Sequence, residues 1–222
     1  MNEASTMNDI EELLRLDAPA PRPQAIAFDG THVWLGSLET QRLYALDPND
    51  WTVRDEMPVA GKPWGMTGAG DELCVILGET DEDHRTIYRA MPGHGVRTSS
   101  AIPCPDDTGS HLSYDGDQLF VSQWYNRRLV AIDDFGTTGT IIDVPHQIVG
   151  QTIVGGRFYL ITTDDETSGE YALTRVDARG GTVESVDLAA IHFDARGLAF
   201  DGERFWTNHR EAHQTVAFAK PD

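Results

Sequence analysis

The sequence predicts an all-β fold: a five-bladed β-propeller of four-stranded blades, its ring closed by the N-terminal strand. Three observations carry this. One phrase recurs five times along the 222 residues: a short apolar strand, a tight Gly turn, and a second apolar strand rich in aromatics. The turn glycines Gly30, Gly70, Gly116, Gly155 and Gly202 are spaced by 40, 46, 39 and 47 residues. Each copy then runs on into alternating strands, and four strands in about 40–45 residues is the period of a propeller blade.

The elements follow in chain order. Residues 1–8 are small, polar and terminal, so they read as a disordered tail, and residues 9–222 as one propeller domain. Residues 10–18 read as the outer strand of the last blade. The run Glu12–Pro19 stands before the first copy as Arg54–Val59 stands before the second. A short helix over Ile10–Leu14, capped by Asn8-Asp9, is the competing reading. Copy one holds Gln24–Gly30, Val33–Leu35, Arg42–Asp47 and Thr52–Arg54. Copy two holds Trp64–Gly70, Leu73–Val75, Thr86–Ala90 and Val96–Thr98. Copy three holds Ser110–Gly116, Leu119–Val121, Arg128–Asp133 and Thr140–Val144. Copy four holds Val149–Gly155, Phe158–Leu160, Ala172–Asp177 and Thr182–Val186. Copy five holds Arg196–Gly202, Phe205–Thr207 and Thr215–Ala219, and its missing fourth strand is the N-terminal one. The period of two is that of half-buried strands, and Asp-Gly is a hairpin signal because such turns need positive φ.

The repeated x-Gly-Leu-x-Phe-Asp-Gly-x-x-Leu-Trp phrase resembles the blades of streptogramin lyases and gluconolactonase-type propellers. Pro23-Gln24-Ala25-Ile26-Ala27-Phe28-Asp29-Gly30 and Pro63-Trp64-Gly65-Met66-Thr67 resemble two phrases of the plant-type glutaminyl cyclases, which are five-bladed. The cyclases place the Gly-Trp phrase two blades after the Gln phrase; here it follows one blade later, and their Asn-Glu-Leu-Glu phrase is absent. The resemblance implies the fold and a small-molecule function, with cyclase activity as its third choice.

Composition narrows the partners. Basic and acidic side chains number 17 and 36, for a net charge of −19. A phosphate backbone or an anionic membrane surface calls for clustered Lys and Arg, so neither nucleic acid nor membrane is an expected partner. No apolar run approaches the ~18 residues of a membrane span. The first residues carry neither a basic stretch nor an apolar run of a secretion leader, which predicts a cytoplasmic protein with Cys74 and Cys104 as free thiols.

A propeller places chemistry at one mouth of its axial funnel. The mouth is built from the loop entering each first strand and the loop between strands two and three; the Asp-Gly turns lie at the opposite face. The entry column reads Gln24, Trp64, Ser110, Val149 and Arg196, and the next positions read Ala25, Gly65, His111, Gly150 and Gly197. His111 breaks a column of Gly and Ala. It is either a base, acid or metal ligand in the funnel, or a ring that fills an axial void. Arg196 either grips a carboxylate or phosphate or pairs with Asp194. Trp64 stacks a ligand or packs over the funnel, and Gln24 bonds a ligand or ties blades together. Trp124-Tyr125 are adjacent aromatics in a segment expected to be exposed, a ligand wall or a contact patch. His209 and His213 flank a Glu in a strand-two loop, and His146 sits in an entry loop. The acidic runs Glu79–His84 and Thr163–Glu166 lack calcium-loop spacing and read as solvated.

The sequence reading is therefore a cytoplasmic small-molecule hydrolase or lyase acting at the axial mouth, monomeric or weakly oligomeric. Catalysis is assigned to His111 and His209. Gln24, Trp64, Trp124, Tyr125, His146 and Arg196 are assigned to a ligand whose anionic character Arg196 suggests. The cofactor is left open, with room for one divalent ion (calcium, magnesium or zinc). A non-catalytic binding propeller is the alternative, since this fold hosts both.

Overall fold

The computed structural model describes residues 7–79, 84–133, 136–179 and 182–221. The first strand, β1 (Glu12–Asp17), belongs to the last blade. Blade 1 is β2 (Pro23–Phe28), β3 (Val33–Ser37), β4 (Arg42–Leu46) and β5 (Val53–Pro58). Blade 2 is β6 (Lys62–Ala69), β7 (Glu72–Gly78), β8 (Thr86–Met91) and β9 (Gly95–Pro103). Blade 3 is β10 (Leu112–Tyr114), β11 (Leu119–Gln123), β12 (Arg128–Ile132) and β13 (Thr138–Asp143). Blade 4 is β14 (Gln147–Val154), β15 (Arg157–Thr163), β16 (Tyr171–Arg179) and β17 (Thr182–Ile191). Blade 5 is β18 (Ala195–Phe200), β19 (Arg204–His209) and β20 (Gln214–Ala219), with β1 on its outer edge. The strand pairs within the blades are antiparallel, and the inner strands β2, β6, β10, β14 and β18 neighbour one another around the axis.

Ring closure is by strand, as the sequence predicts. β1 runs against β20 with Leu14 opposite Ala217 and Asp17 opposite Gln214. Without it, β20 would present an unpaired row of backbone groups. Ahead of β1 the chain also crosses to blade 4: the Asn8 carbonyl accepts from Ala190 N at 2.8 Å, and Ile10 N donates to Ala190 O at 3.0 Å. The N-terminal segment thus straps two neighbouring blades. Residues 1–6 of the expected tail lie outside the described residues.

The core is five separate layers, one between each pair of blades. Alternation within a strand distributes side chains between them. On β3, Trp34 packs toward blade 2, while Val33 and Leu35 pack toward blade 5. Both faces of the middle strands are therefore dry, which is why they read as nearly unbroken apolar runs. The two cysteines, neither of them in a disulfide, are buried in one such layer between blades 2 and 3.

The Asp-Gly turns do two jobs. At Asp201-Gly202, the glycine holds φ +102°, and Asp201 accepts from the backbone N of Glu203 and Arg204. Its second oxygen accepts Trp206 Nε1 at 2.7 Å, satisfying an indole N–H on a wholly buried ring. Asp29 does the same for Trp34 at 2.6 Å. A buried donor left unpaired costs about 1–3 kcal/mol, so an Asp five residues before the Trp is part of the core's design.

At the other end of the blades, the inner strands share a bulge. The register slips between Pro23 and Ala25, between Pro63 and Gly65, and between Ile148 and Gly150. Gln24, Trp64 and Val149 are the extra residues. In blade 5 the slip falls between Arg196 and Ala199. In blade 3, Ser110 N donates to Ser122 O and Ser122 N donates to His111 O, again two residues against one. Bulges re-aim side chains and end pairing. Here they mark the mouth of the axial funnel.

Candidate functional site

The bulged residues open onto a hollow of about 180 Å³ at the axial mouth. Every blade contributes: Gln24 from blade 1, Trp64 and Arg85 from blade 2, His111 and Trp124 from blade 3, Val149 and Glu166 from blade 4, Arg196 and Arg210 from blade 5. At ~30 Å³ per water the hollow holds roughly six waters, which suits a small molecule or one end of a larger one.

Six of the eight predicted site residues meet here: Gln24, Trp64, His111, Trp124, Tyr125 and Arg196. His111 is only 4% exposed. Ser122 pins its backbone, the hydroxyl accepting from His111 N at 3.0 Å. The ring itself makes no hydrogen bond among the described residues and lines the hollow. Burial pushes its pKa down to about 3, and the charges of Arg196, Arg85 and Arg210 push the same way. The imidazole is therefore neutral at all ordinary pH.

Arg196 is a locked group. It is 2% exposed, and both terminal nitrogens are engaged twice. One donates to Tyr171 Oη at 3.0 Å and to Ala195 O at 2.7 Å. The other meets Asp194 Oδ1 at 2.7 Å and Glu166 Oε2 at 3.3 Å. The pairing with Asp194 that the sequence suggested is thus present. Asp194 is a hub: its second oxygen takes Arg210 Nε at 3.1 Å, and its backbone O accepts Arg210 N. Arg210 also donates to Gln24 Oε1 at 3.2 Å, and Gln24 Nε2 reaches Trp64 O at 3.4 Å. Gln24 thus ties three blades at the mouth. Burial lowers the Arg210 pKa from its usual high value.

The aromatics divide. The face of Trp64 is covered by the Arg85 guanidinium, whose carbon lies 3.9 Å from the ring centroid. Arg85 also donates to Gly109 O at 2.7 Å. Tyr125 stands 72% exposed at the rim, edge-on to Trp124 at 4.5 Å. Trp124 packs onto the layer between blades 4 and 5.

Two predicted residues fall elsewhere. His209 ends β19 beside Phe193, its Nδ1 3.1 Å from Arg15 Nη1 of the outer strand. His213 accepts from Arg22 N and does not join it. His146 pairs with Asp164 at 2.8 Å in a separate hollow on blade 4. His209 and His213, four residues apart, would share one face only on a helix, and the chain there is a strand end and a turn. Cys104 is buried, and its thiol is pushed up to about 12, far from a nucleophile. Among the described residues no group of three or more His, Cys, Asp or Glu is arranged to hold a metal. Of the acidic run Glu79–His84, Thr80–Asp83 lie outside the described residues.

Sequence reasoning missed Arg85, Arg210 and Glu166. All three sit in loops between second and third strands, the loops that the topology assigns to the mouth. The signal was their basic or acidic character at that loop; the histidines and aromatics drew attention first.

No protein-family model matches the sequence, and no curated protein matches it significantly. Solved structures do resemble it. A glutaminyl cyclase from Myxococcus xanthus superposes with a TM-score of 0.70 at 12% identity, covering 95% of this chain and 97% of that one. A structural-genomics protein from Bacteroides thetaiotaomicron gives 0.60 at 15% identity, over 97% and 75%. A catalytically inactive virginiamycin B lyase from Staphylococcus aureus, solved with quinupristin, gives 0.52 at 14% identity, over 91% and 82%. At these identities the likeness is one of fold, and it falls on the cyclase and streptogramin-lyase propellers whose blade phrases the sequence resembles.

Proposed function

We propose that the protein is a small-molecule enzyme of hydrolase or lyase type that takes an anionic substrate at the axial mouth, with His111 handling the proton. One observation carries this reading. In a chain of net charge −19, three guanidinium groups and one carboxylate line the hollow among the described residues. The buried imidazole beside them makes no hydrogen bond among the described residues, and burial first and the three arginines second hold its pKa down. Low-dielectric surroundings make those charges count for more than they would in water.

The chemistry follows from the sign of the field. An imidazole whose conjugate acid has a pKa of about 3 is a feeble base. A substrate carboxylate or enolate settling among Arg85, Arg196 and Arg210 cancels part of their charge. Cancelling positive charge raises the imidazole pKa. The substrate thereby returns the part of the base strength that the arginines remove, burial keeping the rest. That base takes the substrate's own proton or activates a water, and the arginines hold the charge that develops. Arg210 is the best-placed donor to the ligand, since only its Nε and Nη1 have partners among the described residues.

The test is a titration of the purified protein with acetate, succinate and inorganic phosphate, following the His111 ring resonances by NMR. Binding should raise the His111 pKa, and Arg210→Gln should weaken binding by about tenfold. Probes that bind without moving His111 would remove it from the mechanism, and no binding at all would remove the anion site. An assay on a peptide with an N-terminal Gln tests the cyclase version. A non-catalytic binding propeller is the second reading, favoured by the weakness of the free base. It predicts ligand affinity without turnover in the wild type.

A further inference from the structure

Within the proposed anion site, Glu166 occupies the place where a substrate carboxylate would sit. Arg196 has four partners on its terminal nitrogens, and three are fixed. Ala195 O is backbone, Tyr171 is 4% exposed, and the Asp194 side chain is 10% exposed and also held by Arg210. Glu166 differs in each respect. Its contact with Arg196 is the longest, at 3.3 Å, and its side chain is 35% exposed. It rides on the loop between β15 and β16, and it lines the hollow. Its backbone carbonyl is anchored by Tyr171 Oη at 3.1 Å, so the side chain can swing away while the loop stays in place.

We infer that Glu166 is a built-in competitor, a tethered carboxylate that caps Arg196 until the substrate's own carboxylate displaces it. This rests on the mouth being an anion site and sharpens it. The ligand carries a carboxylate sized and shaped like the one it replaces, and it enters from the Glu166 side. Displacement leaves no buried charge unpaired at any stage. Arg196 exchanges one carboxylate for another, and Glu166, already one-third exposed, goes to water. In the absence of ligand and of Glu166, Asp194 alone would serve both Arg196 and Arg210, two guanidinium charges on one carboxylate in a buried place. The competitor solves that problem and sets a threshold on affinity, since apparent binding is reduced by the fraction of time the place is filled.

The experiment compares wild type, Glu166→Gln and Asp164→Asn for acetate and succinate affinity. The two variants make the same change of charge on the same loop. Asp164 touches His146 rather than Arg196, so it reports the general field alone. Glu166→Gln should bind about two- to fivefold more tightly than wild type, and Asp164→Asn should change little. Equal gains in both variants, or weaker binding by Glu166→Gln, overturn the competitor. In either case an intact Arg210→Gln effect leaves the anion site standing. If no probe binds wild type or variants, the anion site itself fails, and the competitor falls with it.

Discussion

Acid should destabilise this propeller through one residue. In the unfolded chain His111 titrates near 6.5, but in the fold its pKa is about 3 because of burial first and the arginines second. Between those values the unfolded state binds a proton that the folded state refuses. Stability therefore falls as pH drops through that window, and the loss is complete near pH 3. Each unit is worth ~1.4 kcal/mol, so at about pH 4.5 the single imidazole costs the fold ~3 kcal/mol relative to neutral pH. Such a loss is a large share of a typical domain's stability. The perturbation is His111→Gln, which keeps a polar side chain but cannot titrate. Urea unfolding of wild type and variant at about pH 7.5 and pH 4.5 gives a double difference in which all other titrating groups cancel. The wild type should lose ~3 kcal/mol more than the variant on acidification. Saturating succinate should shrink that difference, because a bound anion raises the imidazole pKa. Equal losses in the two proteins would mean that the ring accepts a proton inside the fold, and the electrostatic basis for the mouth would be gone.

Two further outcomes follow from the geometry. A Cβ on Gly65 would stand 2.5 Å from His111 Cα and 2.6 Å from Ser110 O, both backbone, so nothing nearby can rotate out of the way. Gly65→Ala should cost about 1–3 kcal/mol or more and lower Tm by several degrees, whereas Gly70→Ala, in open space, should cost only its turn strain. His192 joins Asp9 of the N-terminal strap, at 3.0 Å, to Glu170 of blade 4, at 2.7 Å, and these two carboxylates raise its pKa. A raised pKa gives stability that is full below the ordinary histidine range and lost as pH climbs through the folded value. Amide exchange at Ala190 and Ile10, corrected for intrinsic rate, should therefore quicken from about pH 6 to pH 8 in the wild type but not in His192→Gln. Equal pH dependence in both would dissolve the clasp.

The fold was legible because its signal repeats. Gly30, Gly116 and Gly202 each mark one hairpin, and their spacing gives the blade period without any knowledge of contacts. Even the entry column could be written down, and His111 stood out in it because its siblings are Gly or Ala. Partnerships were not legible. Whether Arg196 is free or locked depends on Asp194, Tyr171 and Glu166, which reach it from a loop and from blade 4. Arg85 and Arg210 lie 125 residues apart in the chain, yet both act on His111. Periodicity reports which way a side chain faces, but not which distant side chain it meets. His209 shows the converse: a spacing that would matter on a helix means nothing at the end of a strand.

The charge balance takes on a different meaning once the mouth is located. The acidic Asp-Gly turns lie at one end of strands that run ~17–20 Å, and Arg85, Arg196 and Arg210 lie at the other. Screening confines each group's influence to ~8 Å at physiological ionic strength. A small anion at the mouth therefore experiences Arg85, Arg196 and Arg210 rather than the net −19, while a polyanion spanning the surface would meet the acids as well. On the proposed reading, the acidic surface would act as a size filter on the anion site. Long polyanions, which Arg85, Arg196 and Arg210 would otherwise attract, would be repelled, and only what fits the hollow would be admitted. Repetition builds the ring, and the site is made of the places where blades depart from it: His111 where siblings carry Gly or Ala, Arg196 in a column that otherwise reads Gln, Trp, Ser and Val, and Glu166 on the guanidinium it is proposed to release.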